Sequence, residues 1–350
     1  MADTALRTAS ATDADATSAP QGAPDGASAA RTVRSPRTAR GGDSGSRPRH
    51  RSRLRNVLRH WQLYVLLAPT LLYFLVFKYW PMYGVQIAFR DYTPAGGFTQ
   101  SPWVGLEHFE RFFSSYQFGT IVSNTLLLAI VNLAFLFPIP IIMALLVNQL
   151  AQGRTRRFVQ NVLYAPTFIS TVVVVGILFI LLSPRAGLVN NAIVLFGGEP
   201  IFFMGSAEWF RPVYVASSVW QEAGFNMVVY LAALAGIDPA LHDAAKVDGA
   251  SRLRRIRHID LPGIAPVISV LFILAVGNLL NIGFEKALLM QTDLNVAASQ
   301  LVQTYTYQVG LQQAQFSYAA AIGLFNSLLN LALLLTFNQV ARRARTSSVW

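Results

Sequence analysis

Six long apolar runs constrain this chain more than any other feature of its sequence. A hydrocarbon core about 30 Å thick requires roughly 20 mainly apolar residues per helical crossing, and each run reaches that length. Of the 350 residues, 53% are hydrophobic and 13% are charged, whereas soluble domains are about one-quarter charged. The sequence therefore predicts an all-α, polytopic membrane protein with six transmembrane helices, Trp61–Trp80, Ile121–Val147, Phe158–Leu182, Val213–Ala235, Ile264–Phe284 and Tyr318–Val340.

The first and the second predicted spans each contain proline. Pro138 and Pro140 lie in the second and longest span, where they predict a kink or a tilt. Pro69 lies in the first span and is compatible with a helix there, because neighbouring helices can satisfy the freed backbone groups.

The first 59 residues differ in composition from the rest of the chain. They are rich in Ala, Arg, Ser, Thr, Asp, Gly and Pro and contain no aromatic residue, so they bury too little apolar surface to offset the entropy of ordering. We expect residues 1–59 to form a disordered basic cytoplasmic tail and residues 60–345 to form the transmembrane domain. The first apolar run begins at Trp61, so no signal peptide is expected. The absence of cysteine excludes a disulfide framework and thiolate metal sites.

The distribution of basic residues predicts the orientation. Of the 28 Lys and Arg residues, 22 lie in the tail, in the turn 148–157, in the segment 243–262 or after the sixth span, and six lie on the opposite side. Because cytoplasmic loops carry the excess of Lys and Arg, both termini are predicted to be cytoplasmic in a multi-pass protein of the cell (plasma or inner) membrane. Topology thus accounts for the formal charge of +11, and no nucleic-acid partner is expected.

One polar segment on the predicted cytoplasmic side carries distinct local signals. It is DAAKVDGASRLRRIRHIDLP, residues 243–262. Asp238 followed by Pro239 predicts the start of a helix, Gly249 suits the left-handed position that ends it, and Ser251 can cap a second short helix. From the residues alone, two interpretations stay open. The segment could rest on anionic lipid headgroups, or it could dock against another protein.

The same segment resembles the cytoplasmic EAA loop of permeases of binding-protein-dependent ABC transporters. That motif is Glu-Ala-Ala, three residues, Gly, nine residues, Ile, one residue and Leu-Pro. Every spacing is kept here, although aspartate replaces the usual glutamate and is one methylene shorter. The matching residues are Asp243, Ala244, Ala245, Gly249, Ile259, Leu261 and Pro262. We refer to residues 236–262 as the EAA loop.

Further segments resemble the carbohydrate-uptake group of these permeases. They are similar to the lipoprotein/polysaccharide type of sugar permease, within the maltose/glycerol-phosphate permease group, and the resemblance spans about residues 60–340. The segments are YLAALAGIDPALHDAAKVDGA, PMYGVQIAFRDYTP, SPWVGLEHFERFF, GLVNNAIVLFGGEPIFF and FSYAAAIGLFNSLLN. The resemblance implies the type I ABC importer permease architecture.

The resemblance also implies a function and a set of partners. The chain is expected to form the translocation pathway for a sugar or oligosaccharide and to couple through the EAA loop to a cytoplasmic ATP-binding subunit. A second homologous permease subunit and an extracytoplasmic solute-binding protein would complete the transporter. No G-x-x-x-x-G-K-[ST] occurs in the sequence, so ATP is expected to bind another polypeptide. No cofactor and no enzymatic activity are expected of this chain.

Other functions remain as alternatives. The cargo could be a solute other than a sugar. A secondary transporter is the next candidate, but inverted repeats are not visible, and the EAA loop would have no role in it. A membrane-embedded enzyme lacks its usual motifs, since neither H-E-x-x-H nor G-x-S-x-G occurs.

Polar residues inside the predicted spans are candidates for the pathway. An intramembrane carboxylate is unfavourable unless paired or hydrated, so Glu222 should face a cavity or a partner. Asn278 and Asn281 are spaced to share one face of the fifth span, and Asn326 and Asn330 one face of the sixth. Amides can bind sugar hydroxyls, but they equally join neighbouring helices, with about 0.6 kcal/mol per hydrogen bond. Both roles remain open from the sequence. The five histidines form no metal motif.

Overall fold

The computed structural model describes residues 61–343 except 152 and 282. The predicted tail, residues 1–59, lies outside the described residues, as do residues 60, 152, 282, 344 and 345 of the predicted transmembrane domain. The described part is helical, without a strand, and has one isolated bridge between Arg90 and Trp103. Its helices are α1 Trp61–Phe74, α2 Gly97–Gln100, α3 Glu107–Phe113, α4 Phe118–Leu136, α5 Pro138–Asn148, α6 Arg154–Tyr164, α7 Thr171–Leu181, α8 Leu188–Leu195, α9 Ala207–Ala235, α10 Pro239–Val247, α11 Arg252–Arg255, α12 Leu261–Gly277, α13 Phe284–Met290, α14 Val296–Ser299, α15 Val302–Tyr307 and α16 Phe316–Arg343.

Four helical stretches in the described residues are long and apolar enough to cross a bilayer by themselves. Two further pairs of helices qualify only as broken spans, α6 with α7, bent by 97°, and α9 with α10, bent by 74°. The structure therefore offers four spans, or up to six if each bent pair counts as one. The four are Trp61–Phe89, Phe118–Asn148, Arg252–Gly277 and Phe316–Gln339.

The prolines of the second span coincide with a one-residue interruption of its helix, and the expected kink or tilt stays a prediction. α4 ends at Leu136, α5 begins at Pro138, and Pro140 is buried in the first turn of α5. A proline lacks the backbone N–H that would continue the hydrogen-bond ladder, so the run Phe118–Asn148 divides at this point.

The prediction of one continuous helix over Phe158–Leu182 is wrong. α6 ends at Tyr164, a 3-10 turn with Pro166 follows, and α7 begins at Thr171 after Ser170, whose side chain accepts a hydrogen bond from the Val173 N–H. Ser170 is a favourable N-cap, and proline interrupts a helix. The local sequence therefore stops one helix and starts another.

The helix α9 holds this break in place. Gln221 Nε2 donates to the carbonyl of Ile169 at 2.9 Å, and Thr167 Oγ1 donates to the carbonyl of Gln221 at 2.6 Å. A Cβ at Gly224 would lie 1.8 Å from the Leu163 carbonyl oxygen. Glycine is therefore required where the chain entering the break crosses α9.

The fifth predicted span also ends earlier than the expected Phe284. α12 stops at Gly277, and Asn278 takes a non-helical conformation. Asn330 of α16 donates from Nδ2 to the Gly277 carbonyl at 2.8 Å. This side chain satisfies one of the carbonyls left free at a helix end, so the helix can stop inside the apolar region.

The helix α9 is the centre of the packing. It contacts α4, α5, α12 and the 3-10 turn before α7. One apolar cluster joins Met227, Tyr230 and Leu234 of α9 to Ile141 of α5 and Ile264 of α12. The chain divides after Leu67 into two units, and the contacts described here lie in the second.

Candidate functional site

A cavity of about 500 Å³ lies beside α9. Its walls come from the junction of α4 and α5, from the middle of α9, and from the end of α12 with the segment that follows it. Most of the lining is apolar, and the polar groups come from Asn132, Tyr214, Ser218, Glu222, Asn226, Asn278 and Asn281. An apolar cavity with a few convergent polar groups is the usual form of a small-molecule site.

Glu222 carries the only carboxylate among the residues that line this cavity. In the described part of the chain its carboxylate takes part in no salt bridge and no side-chain hydrogen bond. Ser218 lies one helical turn earlier on α9, and the buried Lys286 donates to its Oγ at 3.0 Å. Lys286 Nζ also lies 5.2 Å from the centre of the Tyr214 ring. Ser218, one helical turn from the carboxylate that lines the cavity, thus holds a buried cation.

Two of the predicted amides line the cavity, although not as expected. Asn278 and Asn281 were predicted to share a helix face, but α12 ends before both. The loop that follows brings both into the cavity wall, and Asn281 Nδ2 lies 3.5 Å from Asn278 Oδ1. The prediction of a shared helix face is therefore wrong, whereas their proximity holds.

The other two predicted amides do not line this cavity. Asn330 joins α16 to the end of α12, because it donates to Gly277 and its Oδ1 lies 3.5 Å from the Leu280 N–H. Asn326 lines a separate, mainly apolar groove with Phe284 and Tyr307. Asn330 thus joins two segments of the fold, and a place for Asn326 and Asn330 in the pathway stays a prediction.

Two further amides line the cavity that were not among the predicted site residues. Asn226 lies one turn after Glu222 on α9, and Asn132 lies on α4. The Oδ1 of Asn132 is buried without a hydrogen-bond partner, so it is free to accept a hydrogen bond from a bound molecule. The sequence signal available for Asn226 was its spacing of four residues from Glu222, which places the two side chains on one face of a helix.

The EAA loop folds as its local signals predicted. Asp238 Oδ1 accepts from the Ala240 N–H at 2.9 Å, and α10 begins at Pro239. Gly249 has a φ of +71°, and nothing lies within 4 Å of a Cβ built on it, so the backbone conformation alone requires glycine. Ser251 Oγ accepts from the Arg254 N–H at 3.4 Å and caps α11. A π-helical turn, Ile256–Asp260, then leads directly into α12.

The surface of this loop exposes apolar side chains. Leu241, Val247 and Leu253 are 53%, 88% and 74% exposed, and α10 has no buried residue. Ala244 is exposed, and Ala245 is half-buried. Such a thin, apolar helix surface is suited to contact with another protein.

Asp243, which stands where the motif has glutamate, lies on the exposed face of α10. Its Oδ1 is 2.8 Å from the Lys246 Nζ one turn later. This hydrogen bond with Lys246 lowers the pKa of the Asp243 carboxyl, so the residue is ionised at neutral pH. Ile259 is half-buried, while Leu261 and Pro262 are exposed.

A metal site is not part of this arrangement. The described residues contain no group of three or more His, Asp or Glu side chains that could hold a metal ion. The chemistry available in the cavity is hydrogen bonding, apolar contact and charge.

A helical membrane protein with a mainly apolar cavity that holds a few polar groups, and with an exposed helical elbow, has the features of a transport permease. Residues 122–346, well over half of the chain, match the family described as binding-protein-dependent transport system inner membrane component. The chain belongs to this family.

Individual relatives are similar over most of the chain. The polygalacturonan/rhamnogalacturonan transport system permease protein YteP of Bacillus subtilis (strain 168) is 46% identical over 281 residues, covering 80% of this chain and 88% of YteP. Protein LplB of the same organism is 44% identical, with the same coverage. A bacterial alginate ABC transporter, solved in complex with an alginate pentasaccharide-bound periplasmic protein, contains a chain that is 40% identical with a TM-score of 0.77. That match covers 84% of this chain and 99% of the solved chain.

Proposed function

We propose that this chain is a membrane permease subunit of an ABC importer for an oligosaccharide. The observation that carries the proposal is the EAA loop, a capped helical elbow that keeps the spacing of the family motif and exposes Leu241, Val247 and Leu253. A separate ATP-binding subunit covers these side chains in the assembled transporter and drives transport through them.

The cavity supports a sugar as the cargo. Carboxylate and amide groups accept and donate hydrogen bonds to hydroxyls, and Glu222, Asn278 and Asn281 all line the cavity. Phe225, which is 53% exposed, adds an aromatic ring to the wall. A volume of about 500 Å³ lies within the usual range of ligand sites, roughly 300–1,000 Å³. These groups bind the sugar on its way through the membrane.

The names of the relatives favour the same class of cargo. YteP is named for polygalacturonan and rhamnogalacturonan, and the solved transporter for alginate. We infer that this chain also carries an oligosaccharide, delivered by a solute-binding protein on the outer side.

A second permease chain completes the pathway. Leu71, Leu72, Phe77 and Trp80 are each more than half exposed, and α1 has no buried residue. An apolar helix of this kind is covered in the membrane by lipid or by another helix. In the proposed transporter the homologous subunit covers part of it, and both termini face the cytoplasm.

The test uses the whole transporter, purified through a tag on this chain and reconstituted in liposomes with its solute-binding protein. The sugar probes are alginate pentasaccharide, galacturonate oligomers and maltopentaose. We expect Leu253→Asp and Gly249→Pro to release the ATP-binding subunit and to abolish ATP-driven uptake. Leu294→Asp is the matched control, since Leu294 is 68% exposed but lies outside the EAA loop. Retention of the ATP-binding subunit and of uptake in both loop variants would contradict the proposal.

A further inference from the structure

Three separate segments meet at the carboxylate of Asp260. This residue directly precedes α12, and its side chain is fully buried. Its Oδ2 accepts a hydrogen bond from Gln149 Nε2, just after α5, at 3.1 Å. Its Oδ1 lies 3.3 Å from Nε2 of His242 on α10. One side chain thereby links the ends of two apolar helices to the exposed helix of the EAA loop.

No second side chain in the described residues duplicates the interaction of the His242 imidazole with Asp260 Oδ1. Asp260 Oδ1 is buried and has no hydrogen-bond partner in the described part of the chain, so the 3.3 Å ion-pair contact with the His242 imidazole is its one polar interaction there. A buried carboxylate is strongly unfavourable unless it is paired or hydrogen-bonded. Because Asp260 is buried, it therefore needs the contact with His242. The side chain of His242 is 23% exposed, which leaves it on the surface of α10 and attached to the interior through this contact.

The helix α10 has few other attachments to the membrane domain. None of its residues is buried. The neighbouring apolar anchor is Ile237, just before α10, whose Cδ1 would lie 2.7 Å from a Cβ built on Gly263 of α12. The other charged pair on α10, Asp243 with Lys246, is exposed and internal to the helix. The contact between His242 and Asp260 is therefore the polar link between α10 and α12.

We propose that Asp260, held by Gln149 and His242, is a positioning residue that makes α10 move together with α5 and α12. A displacement of α10 by the ATP-binding subunit is then passed to two helices that wall the cavity region, instead of being absorbed by the loop. This inference rests on the proposed docking of that subunit on the EAA loop. Asp260 itself touches neither nucleotide nor cargo.

The decisive measurement is the number of sugar molecules taken up per ATP hydrolysed, in the reconstituted transporter with the probe that gives the strongest uptake. In Asp260→Ala we expect the ATP-binding subunit to stay bound and to hydrolyse ATP, while this ratio falls about tenfold, the scale of a typical coupling between sites. His242→Ala removes only one arm and leaves the buried carboxylate with Gln149, so we expect a smaller fall. Asp293→Ala, an exposed acid outside the EAA loop, is the control and keeps the wild-type ratio.

A distance measurement tests the same link without cargo. The chain contains no cysteine, so spin labels can be placed at Val247→Cys and Ala265→Cys. Pulsed electron paramagnetic resonance should give one narrow distribution of distances between the two labels. When His242→Ala is added to the labelled protein, the distribution should become broader. A narrow distribution and a wild-type ratio in His242→Ala would overturn the inference, even if Asp260→Ala does not fold.

Failure of this inference can be told apart from failure of the proposed function. If Leu253→Asp releases the ATP-binding subunit while the Asp260 and His242 variants keep the wild-type ratio, the role of Asp260 is wrong and docking on the loop stands. If Leu253→Asp leaves the subunit bound and uptake normal, docking on the loop is wrong, and the inference falls with it.

Discussion

At the scale of single residues, the cavity is defined by a carboxylate and a buried cation. Glu222 lines the cavity, while Lys286 is 4% exposed and is held by Ser218 and by the Tyr214 ring. Ser218, which binds the Lys286 ammonium, and Glu222 are one turn apart on α9. The cavity can therefore offer a carboxyl group to hydroxyl groups in an apolar part of the protein.

Glu222→Gln should lower uptake while leaving the transporter assembled. Hydrogen bonds to a charged group contribute about 1.5–3 kcal/mol, so removing the charge should reduce the initial rate of sugar uptake about tenfold. The measurement is ATP-driven uptake in liposomes, with assembly checked by copurification. Glu208→Gln is the matched control, because Glu208 lies in the first turn of the same helix and outside the cavity. Equal uptake in the two variants would remove Glu222 from the pathway.

Lys286→Met should destabilise the protein, and Glu222→Gln should partly reverse that effect. The substitution removes the hydrogen bond to Ser218 and the contact with Tyr214, and the loss of a buried charged hydrogen bond amounts to about 1–3 kcal/mol. It also leaves the Glu222 charge unbalanced. Thermal unfolding of the purified transporter should therefore give non-additive shifts in a double-mutant cycle. Strict additivity would mean that the two charges do not interact.

The sequence predicted part of this site because charge and amide groups stand out in apolar runs. Glu222, Asn278 and Asn281 were predicted on that basis, and all three line the cavity. The same signal also selected Asn330, which instead binds the Gly277 carbonyl. An amide that joins helices and an amide that faces a cavity have the same sequence signature, and only the packing separates them. Lys286 is one of the six basic residues assigned to the side opposite the cytoplasm. In the structure it is buried on the short helix α13, which follows the end of α12. Sequence periodicity did not predict that this short helix returns to the interior.

At the scale of elements, the crossing of α9 with the break between α6 and α7 depends on one glycine. Gly224→Ala would place a Cβ 1.8 Å from the Leu163 carbonyl oxygen, so the two segments must separate. Overpacking of this kind costs about 1–3 kcal/mol, and we expect a lower unfolding temperature and poorer assembly. Gly176→Ala in α7 is the matched control, since nothing lies within 4 Å of its Cβ and alanine favours a helix. Equal stability of the two variants would show that the crossing tolerates a side chain.

Local chemistry explains which elements could be predicted. The EAA loop followed the sequence because Asp238, Gly249 and Ser251 each dictate a backbone conformation by themselves. The break before α7 also had local signals, Pro166 and Ser170, but they lie inside an uninterrupted apolar run. A prediction from hydrophobicity alone therefore treated as one helix two helices that Pro166 and the N-cap Ser170 separate. The early end of α12 depends on Asn330, more than fifty positions away along the chain, so no local pattern could predict it.

At the scale of the whole molecule, α9 connects the two sites. It carries Glu222 in the cavity wall and ends at Ala235, thirteen positions later, where the chain turns by 74° into α10. At 1.5 Å per residue, about 20 Å of continuous helix separates the cavity from the EAA loop. In the proposed mechanism, a displacement of α10 can reach the cavity walls by two connections, along α9 and through the contacts of Asp260 to α5 and α12.

The orientation of the molecule can be tested at both ends of the fold. The chain has no cysteine, so single cysteines report without background, and Val247 and Tyr116 are 88% and 90% exposed. Because basic residues concentrate on the side of the EAA loop, a membrane-impermeant maleimide should label Val247→Cys only in inside-out vesicles. It should label Tyr116→Cys only in intact spheroplasts, since that position lies in a predicted outer loop. Bound ATP-binding subunit should protect Val247→Cys and leave Tyr116→Cys reactive. Labelling of Val247→Cys in intact spheroplasts would contradict the proposed topology and, with it, the assignment of the EAA loop to the ATP-hydrolysing partner.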